Sequence, residues 1–151
     1  MTNEDLLSSL IETFPDTKIS EGRQFVEMVV PANQLFASCQ KLFGRPEYAF
    51  NYMFCITGVD YPDAIQVIYH LESTQFRHTL VVKTRTEGRE NPALDSLSPI
   101  WHTAKYHERE VYDLLGVTFN NHIDMRRLFL DDSWGFPLRK DYVDEIRIIK
   151  R

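Results

Sequence analysis

Between Thr2 and Phe14 the apolar positions Leu6, Leu7, Leu10, Ile11 and Phe14 recur at the spacing of one helical face. Thr2 can cap that helix, Asp5 completes a capping-box-like pattern and Pro15 ends it. Thr17–Ser20 and Gln24–Val30 read as a strand pair around Glu21-Gly22-Arg23, which has the length and glycine of a tight hairpin loop. Pro31 opens a second helix with the stripe Ala32, Leu35, Phe36, Cys39, Leu42 and Phe43, and Gly44 followed by Pro46 stops it. Three strands come next, at Tyr48–Ile56, Ile65–Glu72 and Phe76–Thr84, with Ser73-Thr74-Gln75 as a hairpin loop. The second strand alternates Ile65, Val67, Tyr69 and Leu71 against Gln66, His70 and Glu72, with Ile68 breaking the polar side. That is the pattern of a sheet covered mainly on one face. This order of elements implies an α+β fold in two layers, the helices packed on one face of a mixed or antiparallel sheet.

The polar, breaker-rich stretch Thr86-Glu87-Gly88-Arg89-Glu90-Asn91-Pro92 separates the sheet from a last third of different character. Trp101 to Leu115 should be a helix with Trp101, Ala104, Val111 and Leu115 on one face. Glu108 falls in the middle of that stripe, and a buried carboxylate needs a cation or hydrogen-bond donors. Two readings stay open: a half-buried helix whose acid reaches solvent, or an internal salt bridge to Arg126, Arg127 or Arg139. Arg109 and Asp113 lie i,i+4 and can pair locally, while Glu110 is off the stripe. Gly116 to Tyr142 then mixes arginines, acids and aromatics with no period of 2 or 3.6. Its density of aromatic and arginine residues points to a docking surface rather than a solvated loop. The chain accordingly divides into 1–116, an α+β domain ending in that helix, and 117–151, an extended C-terminal interaction segment of the same domain.

Composition narrows the function classes. The 151 residues fit one domain, 43% hydrophobic and 26% charged, and the aromatic share of 13% suits a chain with both a core and a partner. A net charge of −5 argues against a nucleic-acid binder, despite Arg126-Arg127 and Arg139-Lys140. No apolar run approaches the roughly 20 residues of a membrane span, and Glu4 and Asp5 stand where a signal peptide would be positive. The expectation is a cytosolic protein whose membrane association is indirect. Cys39 and Cys55, the two cysteines, cannot supply an iron–sulfur or structural zinc site and read as buried free thiols. A stand-alone metal-dependent enzyme is the rival of another class. Against it, His102 and His107 are spaced poorly for a helical metal pair, and no H-E-x-x-H, glycine-rich phosphate loop or G-x-S-x-G elbow occurs.

Two blocks carry a resemblance. The run from Glu108-Arg109-Glu110 through Asp113-Leu114-Leu115-Gly116, Phe119, His122, Asp124 and Arg126-Arg127-Leu128 resembles the signature of one family. That family is the 30-kilodalton (C) subunit of NADH-quinone oxidoreductase, complex I. Trp134-Gly135-Phe136-Pro137-Leu138-Arg139-Lys140-Asp141-Tyr142 is similar to the same family's second hallmark, G-x-P-L-R-K-D and an aromatic. Ile123, Phe136, Tyr106 and Val143 depart from the family's common residues, and none of them is a charged signature position. The resemblance implies a structural subunit with no cofactor of its own, in the peripheral arm of a proton-pumping enzyme on the cytoplasmic side of the membrane. It implies docking on the 49-kilodalton (D) subunit beside the cluster-carrying subunits, with NADH, FMN, iron–sulfur clusters and quinone held elsewhere in the holoenzyme. Because the chain ends soon after the second block, the unfused form is implied, and related subunits of energy-converting membrane hydrogenases are the alternative. Within that picture Glu108, Arg109, Glu110 and Asp113 would fix the helix to the following segment. His122, Arg126, Arg127, Arg139 and Lys140 would hold or dock that segment by charge-assisted bonds, and Leu114, Leu115 and Leu138 would anchor it, with Pro137 a further signature position of the interface.

Overall fold

In the computed structural model, which describes residues 2–144, helix α1 spans Asn3–Thr13. Thr2 accepts the Asp5 N–H on its side chain while the Asp5 carboxylate takes the Thr2 N–H in return, so the capping box forms in full. Strands β1 (Lys18–Glu21) and β2 (Val26–Val29) make the expected antiparallel pair. After Pro31 the chain makes one 3-10 turn, Ala32–Gln34, before helix α2 takes over at Leu35–Gly44.

The three long strands are β3 (Tyr52–Asp60), β4 (Ile65–Glu72) and β5 (Thr79–Arg85). β3 therefore starts at Tyr52 rather than at Tyr48. Tyr48 and Ala49 donate their N–H groups back to the Arg45 carbonyl, and Ala49 sits in the left-handed region at φ 47°. This turn swings Tyr48 inward, where its hydroxyl meets Thr13 Oγ1 at 2.7 Å under α1. The buried Tyr48 and Phe50 thus belong to a turn, although their apolar alternation imitates a strand. β5 starts at Thr79 rather than Phe76 because the loop closes through the Ser73 N–H on the His78 carbonyl, with Arg77 at φ 58°.

The sheet order is β1-β2-β5-β4-β3, mixed because β2 and β5 run parallel while the other neighbours are antiparallel. Its register lines up Met28, Val82, Tyr69 and Ile56 in one row and Val26, Leu80, Leu71 and Met53 in the next. Both rows face the core with Leu6 and Leu10 of α1, Leu35, Cys39 and Leu42 of α2, and Val111 and Leu115 of the third helix. Each such side chain buried stabilises the fold by about 1.5–3 kcal/mol. All helices pack on that one face. The opposite face carries the Lys83–Glu27 ion pair at 2.6 Å. A register shift between Met53 and Cys55 places Cys55 opposite His70 on this open side. Cys55 is therefore only half-buried, against expectation, while Cys39 is buried, and both thiols are free.

Two strands carry no signal in the sequence pattern. β6 (Ala93–Asp95) and β7 (Thr118–Asn120) pair in parallel, each with three residues, too few to show an alternation. Between them lies helix α3, Ala104–Leu115, shorter than the expected Trp101–Leu115. Ile100 and Trp101 turn back onto the Leu97 carbonyl, and the Trp101 indole N–H donates to the Phe50 carbonyl at 3.0 Å. Among the described residues no helix is long and apolar enough to cross a membrane. Residues 145–151 of the expected C-terminal segment lie outside the described residues.

Candidate functional site

The C-terminal half of α3 and the segment it holds form the site. Gly116 ends α3 at φ 79°, a left-handed cap that L-residues adopt at a cost, and its N–H donates to the Tyr112 carbonyl. A Cβ there would lie 2.6 Å from Phe136 Cδ2, so the segment packs directly on the bare backbone. Leu138 then donates its N–H to the Leu114 carbonyl at 3.0 Å, and Arg139 Nε donates to the Leu115 carbonyl at 2.7 Å. These two bonds take up carbonyls that the end of a helix leaves without partners.

Asp113, fully buried, organises the segment from inside. One carboxylate oxygen accepts the backbone N–H groups of Leu128, Phe129 and Leu130 at 3.3, 2.7 and 3.0 Å. The other accepts from Arg127 Nη1 at 3.0 Å. Burial pushes this carboxyl up, but the three N–H groups and the guanidinium outweigh it and hold the acid below its ordinary range. It is an anion in a backbone nest. Arg127 also donates to the Trp134 and Gly135 carbonyls, and its guanidinium lies 5.3 Å from the centre of the Phe136 ring. Arg139 contacts the same ring at 5.1 Å.

Glu108 departs from both readings of it. The side chain is 0% exposed, which excludes an acid reaching solvent, and no arginine meets it. Arg126 pairs with Asp124 at 2.9 Å, Arg127 with Asp113, and Arg139 with the Leu115 carbonyl. The physical reason is direction: Glu108 faces the end of β6, where Leu97 N–H donates at 2.7 Å and Ser96 Oγ at 2.6 Å. Its other neighbour is His122, whose Nδ1 accepts the Asp124 N–H and whose Nε2 donates to the Lys105 carbonyl at 3.0 Å. That tautomer is neutral, and burial lowers the ring's pKa further, so the 3.7 Å approach of Nε2 to Glu108 brings no positive charge. Burial pushes the Glu108 carboxyl up to about 7, against the pull of the Ser96 and Leu97 bonds.

The Arg109–Asp113 pair does not form either. Arg109 reaches across to the carbonyls of Arg126 and Arg127 at 3.0 and 2.7 Å, tying α3 to the segment by a different route. Glu110 is half-buried beside Leu114, and Pro137 is half-buried, while Arg126 and Lys140 point outward. With Arg109, Arg127 and Arg139 directed inward, the basic pairs do not assemble a cationic surface.

A second lock is one that no sequence pattern announces. Arg89 binds Asp60 through Nε and Nη2 at 2.7 and 2.8 Å, and Asp141 through Nη2 and Nη1 at 2.6 and 2.8 Å. Asp60 also accepts the Lys140 N–H at 2.8 Å. The Arg89 bonds lead in holding the Asp60 carboxyl down to about 2, with help from Lys140. Asp60 occupies a core-facing strand position opposite Ile65, beyond the Tyr48–Ile56 strand that the sequence pattern predicts. Among the exposed charged and polar residues of this segment, three apolar side chains also stand outward. Phe129, Ile123 and Leu138 are 68%, 60% and 59% exposed on a segment whose backbone is fixed.

Fold and site together define a two-layer α+β protein, helices on one face of a mixed sheet, with a charge-locked segment displaying apolar side chains. The chain belongs to the family described as respiratory-chain NADH dehydrogenase, 30 Kd subunit, whose model matches residues 28–146. It is 37% identical over 142 residues to the C subunit of the NADH-quinone oxidoreductase of Moorella thermoacetica, covering 92% of this chain and 94% of that one. It is also 45% identical over 123 residues to the C/D subunit of the Phocaeicola vulgatus enzyme, covering 80% of this chain but 23% of that longer protein. It spans 61% of the C subunit of the Chlorobium phaeobacteroides enzyme, at 45% identity over 102 residues and 65% of this chain. Among solved structures, a chain of the membrane-bound sulfane sulfur reductase, an archaeal respiratory membrane complex, superposes with a TM-score of 0.80 at 27% identity. That match covers 95% of this chain and 86% of the other. The trypsin-resistant fragment of Nqo5 shares the fold, with a TM-score of 0.66 at 24% identity over 82% of this chain and 99% of the fragment.

Proposed function

We propose that the chain is a cofactor-free structural subunit of the peripheral arm of a proton-pumping NADH-quinone oxidoreductase, docked on its D-type (49-kilodalton) subunit at the cytoplasmic side of the membrane. The observation that carries this reading is the exposure of Phe129 and Leu138 on a segment immobilised by Asp113, Arg127 and Arg139. An apolar side chain held out on a rigid backbone loses little entropy on binding and suits an interface anchor. The choice of the D-type partner draws on the relatives in which the C and D subunits are one polypeptide. NADH, FMN, the clusters and quinone are assigned to neighbouring subunits, and this chain's residues supply contacts rather than chemistry.

The test is co-purification with a tagged D-type subunit. Phe129→Glu and Leu138→Glu, at exposed positions that leave the core intact, should each lower recovery of the complex at least tenfold. Undiminished recovery of both would overturn the reading. The likeness to the sulfane sulfur reductase complex favours a second reading, the equivalent subunit of a related membrane oxidoreductase without NADH chemistry. Native co-purification followed by mass spectrometry separates the two by the presence or absence of an NADH-binding flavoprotein.

A further inference from the structure

The two edges of the five-stranded sheet are built differently. β1 is short, and its sequence Lys18-Ile19-Ser20-Glu21 carries charge at both ends, the usual protection of a free edge. β3, at the other edge, has nine residues with no charged side chain before Asp60. Past the irregularity between Met53 and Cys55 it pairs without interruption with β4 from Cys55 to Asp60.

The C-terminal segment passes along this edge without closing it. Leu138 lies beside Ile56, Thr57 and Gly58, yet its N–H goes to the Leu114 carbonyl. The next two N–H groups go to the Phe136 carbonyl and the Asp60 carboxylate. Among the described residues, the outward backbone groups of β3 have no backbone partner, and by Lys140 the chain has reached the strand's end. Alongside runs a groove of about 200 Å3 lined by Ile56, Gly58, Val111, Leu114, Leu115 and Leu138, with Glu110 on its rim. Glu110 is half-buried and makes no ion pair among the described residues.

Unpaired ladder groups beside an apolar groove fit an added strand whose alternate side chains enter the groove. The acid on the rim says more about its source. β3 contains no lysine, arginine or histidine, so a second copy pairing β3 to β3 about a two-fold axis brings no cation from that strand to Glu110. We infer that an extended strand of a neighbouring subunit completes the sheet at β3, with alternate apolar residues in the groove and a lysine or arginine against Glu110. The inference rests on the reading of the chain as one subunit of an assembly.

Residue-resolved hydrogen exchange on the full chain, alone and in the purified complex, tests it. Alternate amides between Cys55 and Val59 should exchange fast in the isolated chain and slow by at least a hundredfold in the complex. Glu110→Lys should lower recovery of the complex at least tenfold, and Glu110→Gln less. Unchanged exchange in an intact complex, or uniform slowing without alternation, would overturn the added strand while leaving the subunit reading standing. Slow exchange already present in the isolated chain would also overturn it. Residues 145–151 would then be the occupant if the protection is independent of concentration, and a second copy if it follows dimerisation. A chain that enters no complex at all would overturn the subunit reading as well.

Discussion

Asp113 and Arg127, 14 positions apart, meet at 3.0 Å, and the carboxylate also gathers three consecutive backbone N–H groups beyond the arginine. One buried anion therefore sets both the arginine and the backbone that follows it. Removing it leaves a largely buried guanidinium and three unpaired donors, a loss of about 3 kcal/mol. Asp113→Ala should lower urea stability by that order, and Asp113→Asn by less. Amide exchange of Leu128–Leu130 should accelerate in both variants, and unaltered exchange would show that the segment is held some other way.

Glu108 predicts a stability profile with an unusual slope. Its carboxyl titrates near 7 in the fold but in the ordinary carboxylate range when unfolded, so the folded state binds the extra proton. Its contribution is fully present below that ordinary range and is lost as pH rises through about 7, a fall of roughly 3 kcal/mol. Glu108→Gln keeps the size of the side chain and an acceptor for the Leu97 N–H. The variant should equal the parent near pH 4 and exceed it near pH 8.5, measured as urea midpoints across that range. Parallel profiles for the two proteins would refute the assignment.

The sign reverses at Asp60. Arg89 and the Lys140 N–H hold this carboxyl down to about 2, so its stabilisation is present above the ordinary carboxylate pKa and disappears as pH falls toward 2. Arg89→Ala should therefore cost stability at pH 7, and progressively less as pH falls from the ordinary carboxylate range through about 2. The same variant frees Asp141 and should speed proteolysis around Lys140 in the native protein. A penalty that stays constant with pH would contradict the pairing.

Gly116→Ala combines two costs at one atom. The left-handed φ disfavours any side chain by roughly 1 kcal/mol, and the new Cβ would meet the Phe136 ring. The expected loss is about 2 kcal/mol in thermal or urea unfolding. Full stability would mean that Phe136 can leave α3 freely.

The helices, the alternation of β4 and the one-sided sheet were legible because each follows from a period repeated over several residues. Tyr48 and Phe50 misled because a turn can bury alternate residues just as a strand does. β6 and β7 are too short to have a period at all. At the site, sequence periodicity placed Glu108 on the buried stripe, yet it left open whether the acid reaches solvent or an arginine, and the structure gives it neither. Helical phase says which way a side chain points, but not whether an arginine or a backbone N–H waits there. Arg109 illustrates the same limit: its i,i+4 neighbour Asp113 was available, and the segment's carbonyls won it. Asp60 and Arg89 were missed because their partnership joins a strand end to a loop across 29 positions.

The parallel pairing of β2 with β5 also sets a timetable. Val26 must find Leu80, so the central contact of the sheet closes a long loop and cannot form until more than half of the chain has left the ribosome. Until then Met28 and its row have only the β1 hairpin and α1 for company. Folding of this protein is therefore expected to be limited by a single late zippering event in the middle of the sheet, with the β1–β2 hairpin, the β3–β4–β5 meander and α1 assembled beforehand.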